Sequence, residues 1–250
     1  MAGPIEQFEI HRVFDHEIVV NNYDISFTNS ALWMVIGAVV SINFLTLGMK
    51  KGAMVPGRMQ MLVEMIYDFI AKMVHQNIGK EGQQYFPLIF TLFMFVLMGN
   101  LLGLLPYSFT YTSHLIVTGF LSVGIFLMVI LLGLYNHGLK FFTLFVPSGV
   151  PLWLLPFIIP LEILSFFVRP ITLSVRLFAN MMAGHIMLKV IAGFAVSAAS
   201  LGLAWATLGI FPVMFNVAFL LLEFLVALIQ AYVFAILSCV YLKDTVELHH

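Results

Sequence analysis

Residues 160–180 read PLEILSFFVRPITLSVRLFAN, and this stretch decides the fold. Six of its polar side chains recur every three or four residues, which places them on one face of a single α-helix. The surrounding sequence is almost wholly apolar, because only six residues between positions 86 and 242 are Asp, Glu, Lys or Arg. Charged residues at membrane depth are costly and usually mark a functional site. The polar stripe consists of Glu162, Ser165, Arg169, Thr172, Arg176 and Asn180.

The composition identifies the chain as a membrane protein surrounded by lipid. Of its 250 residues, 62% are hydrophobic and 9% are charged, whereas a soluble domain carries about 25% charged residues. The apolar runs are long and do not alternate, so the spans are predicted to be helices rather than barrel strands. The net charge of −1 indicates no nucleic-acid partner. The single cysteine, Cys239, excludes an internal disulfide and is expected to pack in an apolar helix.

A polar N-terminal arm, residues 1–29, precedes what is expected to be a single membrane domain, residues 30–250. One segment of that domain is amphipathic: apolar residues such as Met65 and Phe69 recur in it at helical spacing between charged ones. Such a segment is typical of a helix that lies at the membrane interface. The predicted elements are spans at 31–47, 86–104 and 114–135, the amphipathic helix at 57–78, and long apolar segments at 151–191 and 201–243.

The two long segments do not fit upright in a bilayer. As a continuous helix each would extend ~60 Å, whereas the hydrocarbon core is ~30 Å thick. Each helix would then tilt by about 60° from the membrane normal, well beyond the usual tilt. The alternative is two shorter spans per segment, broken at Pro160 and Pro170 and at Gly209 and Pro212. The unbroken polar stripe favours continuous helices, and so does a second stripe with a seven-residue spacing: Asn216, Glu223 and Gln230, with Tyr241 further along.

The predicted fold class is an all-α polytopic membrane protein with upright transmembrane helices, one amphipathic interfacial helix, and a hairpin of two long, strongly tilted helices. The positive-inside rule predicts its orientation. The segment between the first two spans carries Lys50, Lys51, Arg58, Lys72 and Lys80, whereas the loop between the second and third spans has no Lys or Arg. The N-terminus is therefore expected outside and the C-terminus inside, in a bacterial inner (plasma) membrane or, alternatively, in the mitochondrial inner membrane.

Residues 173–185, LSVRLFANMMAGH, closely resemble the signature of subunit a of the F-type ATP synthase, also called subunit 6. The family pattern is an arginine, an asparagine four residues later, then Ala-Gly and a His or Glu. The resemblance covers roughly residues 30–245 and includes the stretch GNLLGLLP at 99–106. Some bacterial members have Glu at the position of His185 and His at that of Glu223. The reversed pair found here is similar to that of mitochondrial and many alphaproteobacterial members.

The resemblance implies a function in proton transport. Subunit a is the stator part of the proton channel: it forms two offset half-channels that pass protons to and from carboxylates on a ring of c subunits, and rotation of that ring drives ATP synthesis. The implied partners are the c-subunit ring, the b subunits and the remainder of the complex. No Walker or Gly-rich phosphate loop is present, so ATP is expected to bind elsewhere in the complex, and this chain is expected to hold no nucleotide, cofactor or metal.

Arg176 is expected to face the ring, attract its ionised carboxylates and prevent a direct proton leak, since a guanidinium keeps its proton in a protein. Gln230 is expected near it. The other stripe residues divide by their position along the predicted topology. The outer half-channel is predicted to use His185, Glu223, Asn180, Asn216 and Asn100, and the inner half-channel Glu162, Ser165, Thr172 and Tyr241.

Several of these side chains also have simpler interpretations. Asn216 and Gln230 could serve only as interhelical hydrogen-bonding groups, and Asn100 could serve only in packing. Arg169 would bind either a lipid head group or an acid on a neighbouring subunit. Lys189 is expected to extend its ammonium group towards the membrane surface.

Two other classes of protein fit the sequence less well. A secondary cation/proton antiporter would also use intramembrane Glu and Arg, but the chain has no internal repeat and no pair of Gly/Pro-broken helices in matching halves. A purely structural membrane anchor would leave both polar stripes without a role.

Overall fold

The computed structural model describes residues 8–13, 19–20, 23–24, 26–50, 52–105, 108–146, 153–200 and 210–246. Two short antiparallel strands, β1 (Val19–Val20) and β2 (Tyr23–Asp24), lie in the N-terminal arm. The other elements are helical. The α-helices are α1 (Asn29–Met49), α2 (Arg58–Ile78), α3 (Phe86–Gly103), α4 (Leu115–His137), α5 (Leu155–Ser200) and α6 (Ile210–Val246), and 3-10 helical segments occupy Lys80–Tyr85, Tyr111–Ser113 and Gly138–Phe145.

Among the residues that the structure describes, five helices are long and apolar enough to cross a membrane, and they correspond to α1, α3, α4, α5 and α6. The predicted all-α polytopic class is therefore confirmed. The predicted bounds of the three shorter spans differ from the observed ones by at most two residues at either end, which is within the usual uncertainty of helix ends. Pro106, the last residue of the GNLLGLLP stretch, lies outside the described residues, as do parts of the arm and residues 151–152, 201–209 and 247–250.

The α5 helix is continuous for 46 residues and includes both Pro160 and Pro170. This continuity decides against two shorter spans in the first long segment. An interior proline removes one backbone hydrogen bond, a loss that helices in membrane proteins tolerate. At 1.5 Å per residue α5 extends ~69 Å, and it ends nine residues later than predicted. The α6 helix is continuous for 37 residues, with Pro212 in its first turn, where proline is tolerated.

The contacts of the chain divide it into two compact units. The first contains Met1–Phe44, Met94–His114 and Leu177–Ala231. Its core includes the side chains of Leu177, Met181 and Ala227, all fully buried. It therefore combines the second half of α5, the first half of α6 and the end of α3.

The second unit contains Leu45–Phe93, Leu115–Arg176 and Tyr232–His250. In this unit α2 buries one face, which includes Ile70, Val74 and Ile78. The opposite face exposes apolar side chains such as Met65 together with charged ones, so α2 is amphipathic as the sequence predicted.

Candidate functional site

The first unit buries an acid next to an imidazole. Glu223 Oε1 of α6 lies 3.1 Å from His185 Nδ1 of α5, and these side chains are only 4% and 10% exposed. A buried carboxyl group beside an imidazole can exchange a proton with it over this distance. The structure thus brings together two residues that the sequence assigned to one pathway and that lie 38 positions apart.

Thr110 completes the surroundings of the imidazole. Its Oγ1 lies 2.8 Å from His185 Nε2, and the donor depends on the tautomer of the ring. A hydroxyl group can donate to a neutral imidazole and accept from a protonated one. Thr110, His185 and Glu223 therefore form a series of neighbouring groups in which Nε2 of the ring is hydrogen-bonded and Nδ1 lies within ion-pair distance of the carboxyl group, without a hydrogen bond to it.

Gly103 and Gly184 make this arrangement possible because both lack a side chain. A Cβ atom at Gly184 would lie 2.6 Å from Glu223 Oε1, so only glycine allows the carboxylate to approach α5 this closely. A Cβ atom at Gly103 would overlap the side chain of Thr110. Gly103 belongs to the GNLLGLLP stretch, and Gly184 belongs to the LSVRLFANMMAGH stretch. These two glycines are therefore required by close contacts rather than by backbone conformation.

A cavity of about 230 Å³ adjoins the carboxyl group of Glu223. Asn180 and Glu223 supply its polar groups, and the remaining lining is apolar, including Phe219 and Met187. A cavity of this size with polar partners can accommodate several water molecules.

The asparagines and the glutamine of the predicted pathway lie in different surroundings. Asn180 Nδ2 donates to Gln230 Oε1 at 3.1 Å, and the fully buried Asn100 donates from Nδ2 to the backbone oxygen of Ala227 at 3.2 Å. Within the described ranges, the buried Oδ1 atoms of Asn100 and Asn216 and the buried Nε2 of Gln230 have no hydrogen-bond partner.

The side chain of Arg176 lies on an exposed face of α5. Thr172, Ala179 and Asn180, which lie next to it on the surface of the helix, are also exposed, whereas Leu173 and Leu177 are buried. The guanidinium group is thus directed away from the core formed by the chain itself.

The second unit holds a different cluster around Arg169. Its Nη2 lies 3.9 Å from Glu162 Oε1, and its guanidinium carbon lies 5.6 Å from the ring centroid of Tyr241 and 5.9 Å from that of Phe166. Arg169 therefore has an acidic neighbour in its own chain. The sequence analysis had expected its partner to be a lipid head group or an acid on a neighbouring subunit. Two further stripe residues, Ser165 and Thr172, are exposed on the same helix.

A sequence model of the family described as "ATP synthase A chain" matches residues 31–243. The chain is 51% identical over its full length to "ATP synthase subunit a" of Afipia carboxidovorans, which it covers completely. It is 51% identical to the protein of that name from Parvibaculum lavamentivorans, with 100% of this chain and 95% of the relative covered. With Pelagibacter ubique the identity is 49%, with 100% and 99% covered.

The chain belongs to the ATP synthase subunit a family. It is the proton-channel stator subunit of an F-type ATP synthase, as the resemblance of its motifs predicted, and it works as a multi-pass membrane protein within that complex. The relatives match it over their whole length and carry the same name, so nothing favours the antiporter.

Two residues near the imidazole of this family member were not found by sequence reasoning. Thr110 lies 75 positions before His185 in a short uncharged loop, and the ring centroid of Phe8 lies 6.3 Å from that of His185. In the same loop, burial raises the pKa of Tyr111, whose hydroxyl donates to the backbone oxygen of Phe95 at 2.8 Å. The position of Thr110, four residues after the end of GNLLGLLP, was the only signal, and a helical period does not extend across a loop.

Proposed function

We propose that this chain forms the stator side of two offset half-channels that pass protons to and from the carboxylates of a c-subunit ring. The observation that carries this proposal is the position of Arg176, whose exposed side chain lies on the polar stripe, midway along the otherwise apolar helix α5. Polar clusters follow it on the same helix at His185 and precede it at Glu162. A fixed positive charge between the clusters would repel a proton moving directly from one to the other.

The ring is the partner that best suits the exposed face around Arg176. A carboxylate on a passing ring subunit would be attracted to the guanidinium and would favour release of its proton there. Exposed apolar residues elsewhere on this part of α5, including Ile171 and Val175, suit contact with other apolar helices. The b subunits and the remainder of the complex would hold this chain still while the ring turns.

The outer half-channel would use the buried series of Thr110, His185 and Glu223. A proton arriving at the Thr110 side could enter the imidazole at Nε2 while another leaves Nδ1 for Glu223, since the two ring nitrogens face different partners. The cavity beside Glu223 extends to Asn180, which would carry the path towards the ring. Asn100 and Asn216 would contribute their buried amide oxygens.

The inner half-channel would use Glu162, with Ser165, Thr172 and Tyr241 around it. Glu162 is 39% exposed, so water on the inner side would exchange protons with it directly. Gln230, hydrogen-bonded to Asn180, would lie near the middle of the path and help to keep the halves apart. Each proton that crosses contributes ~2.3 kcal/mol per 100 mV of membrane potential.

The orientation follows from the distribution of charge. The α1–α3 connection carries Lys50, Arg58, Lys72 and Lys80, so it would face inward, with the N-terminus outside and the C-terminus inside the bacterial inner membrane. The two long helices would tilt strongly, because ~69 Å of α5 must fit a core ~30 Å thick.

The decisive experiment replaces Arg176 and measures ATP-driven proton pumping in inverted membrane vesicles. We expect Arg176→Ala to reduce pumping to background while the complex still assembles. Arg176→Lys should also fail, because lysine lacks the planar guanidinium and can lose its proton. The control is Lys140→Ala, which removes an exposed cation outside the stripe. Unchanged pumping in Arg176→Ala would contradict the proposal.

A second experiment tests the partners. A tagged version of this chain, extracted in mild detergent, should copurify with c and b subunits. Isolation of the chain without these subunits, but with proton transport retained after reconstitution, would instead support a self-contained transporter.

A further inference from the structure

Arg169 lies between two aromatic rings. Its guanidinium carbon is 5.6 Å from the ring centroid of Tyr241 on α6 and 5.9 Å from that of Phe166 on α5. Both distances are within the ~6 Å range of a cation–π interaction. Phe166 is buried and is packed against the rings of Phe126, Phe141 and Phe145, so one side of this aromatic clamp is rigid.

The ion pair with Glu162 is long and only partly buried. The two charged groups are 3.9 Å apart, with side chains 29% and 39% exposed. An ion pair that is long and partly exposed does little by itself to hold two flexible side chains in one place. The rings of Phe166 and Tyr241 therefore help to hold the guanidinium, and the guanidinium favours a position of the Glu162 carboxylate beside it.

We propose that Arg169 is a positioning residue of the inner half-channel and that Tyr241 acts on it through its ring face rather than through its hydroxyl group. The clamp connects α5 to α6 in the second unit. It keeps the Glu162 carboxylate next to Arg169, on the polar face of α5. This inference depends on the proposed role of Glu162 as the inner proton-exchanging group. It changes the role of Tyr241 from a proton carrier to a support for Arg169.

The geometry makes a specific demand on substitutions at position 241. Phenylalanine keeps the ring face and removes the hydroxyl group, whereas leucine has a similar bulk and removes both. ATP-driven pumping in inverted vesicles, normalised to the amount of assembled complex, should be unchanged in Tyr241→Phe and roughly twofold lower in Tyr241→Leu. Equal losses in both variants would show that the hydroxyl group matters and would overturn the inference.

Substitutions at position 169 test the other half of the clamp. Arg169→Lys keeps a cation that can lie over the rings, so it should retain more pumping than Arg169→Met, which keeps the stem and removes the charge. In a double-mutant cycle, Arg169→Met combined with Tyr241→Leu should pump no worse than Arg169→Met alone, because both changes remove the same interaction. Losses that multiply would show that the two residues act independently.

The variant Glu162→Gln separates failure of this inference from failure of the proposed half-channel. If Glu162→Gln leaves pumping unchanged, the inner half-channel is wrong whatever the clamp does. If Glu162→Gln impairs pumping while Tyr241→Leu and Arg169→Met do not, the half-channel remains supported and the clamp is rejected. If depletion of anionic phospholipid lowers pumping by the unsubstituted chain to the level of Arg169→Met and has no effect on that variant, Arg169 binds a lipid head group and the inference is overturned.

Discussion

The two polar clusters differ most in their exposure. The His185–Glu223 pair of the first unit is 10% and 4% exposed, whereas the Arg169–Glu162 pair of the second unit is 29% and 39% exposed. A buried acid can exchange protons only with its fixed neighbours, so its function depends on atomic distances. An exposed acid can exchange protons with water, so its function depends less on any single neighbour. Substitutions should therefore be more damaging in the buried cluster.

The largest effect is expected from Glu223→Gln. The amide cannot take a proton from His185 and pass it on, so ATP-driven pumping should fall about a hundredfold, in the range of general acid–base contributions. Asp68→Asn, which removes an exposed acid of α2, is the control and should pump normally. Pumping with an unaltered pH dependence in Glu223→Gln would remove this residue from the pathway.

Gly184→Ala should have the next largest effect, because its Cβ would lie 2.6 Å from Glu223 Oε1 and would displace the carboxylate from His185. We expect pumping to fall roughly tenfold, since small misplacements of reacting groups have large effects on rate. Gly193→Ala on the same helix is a matched control, because a Cβ there has nothing within 4 Å. Equal pumping by the two variants would argue against a distance-dependent transfer.

Thr110→Val should lower pumping about fivefold, as expected for the loss of one hydrogen bond to a buried group. Thr110→Ser keeps a hydroxyl group within reach of His185 Nε2 and should pump nearly normally. The measurement is again the initial rate of ATP-driven acidification per assembled complex. Normal pumping in Thr110→Val would show that the hydroxyl group is not needed, and failure of Thr110→Ser would show that a hydroxyl group at this position is not sufficient; either result would contradict this prediction.

The smallest effect in this comparison is expected from Glu162→Gln. Because Glu162 is partly exposed, water can substitute for part of its function, and the loss should be roughly threefold, within the range of an exposed charged interaction. A loss as large as that of Glu223→Gln would show that the inner cluster is as enclosed in the assembled complex as the outer one.

The helical stripes were the part of the site that the sequence could predict. A helical period connects Glu162, Arg169, Arg176 and Asn180. This period predicted that α5 continues through its two prolines, as it does. The partners of these side chains were less predictable. Two contacts depend on how α5 and α6 align: the hydrogen bond of Asn180 to Gln230 and the packing of Tyr241 on Arg169. The helical period of one segment gives no information about the alignment of two helices.

The sequence by itself determined the membrane class, the span positions, the polar stripes and the family, because hydrophobicity, helical period and motif spacing are local properties of a chain. Only the tertiary structure decided that Thr110 contacts His185, that Gly184 admits Glu223, and that one cluster is buried and the other exposed. Those facts depend on distances between residues far apart along the chain. Such distances are set by packing between helices, which local patterns do not specify.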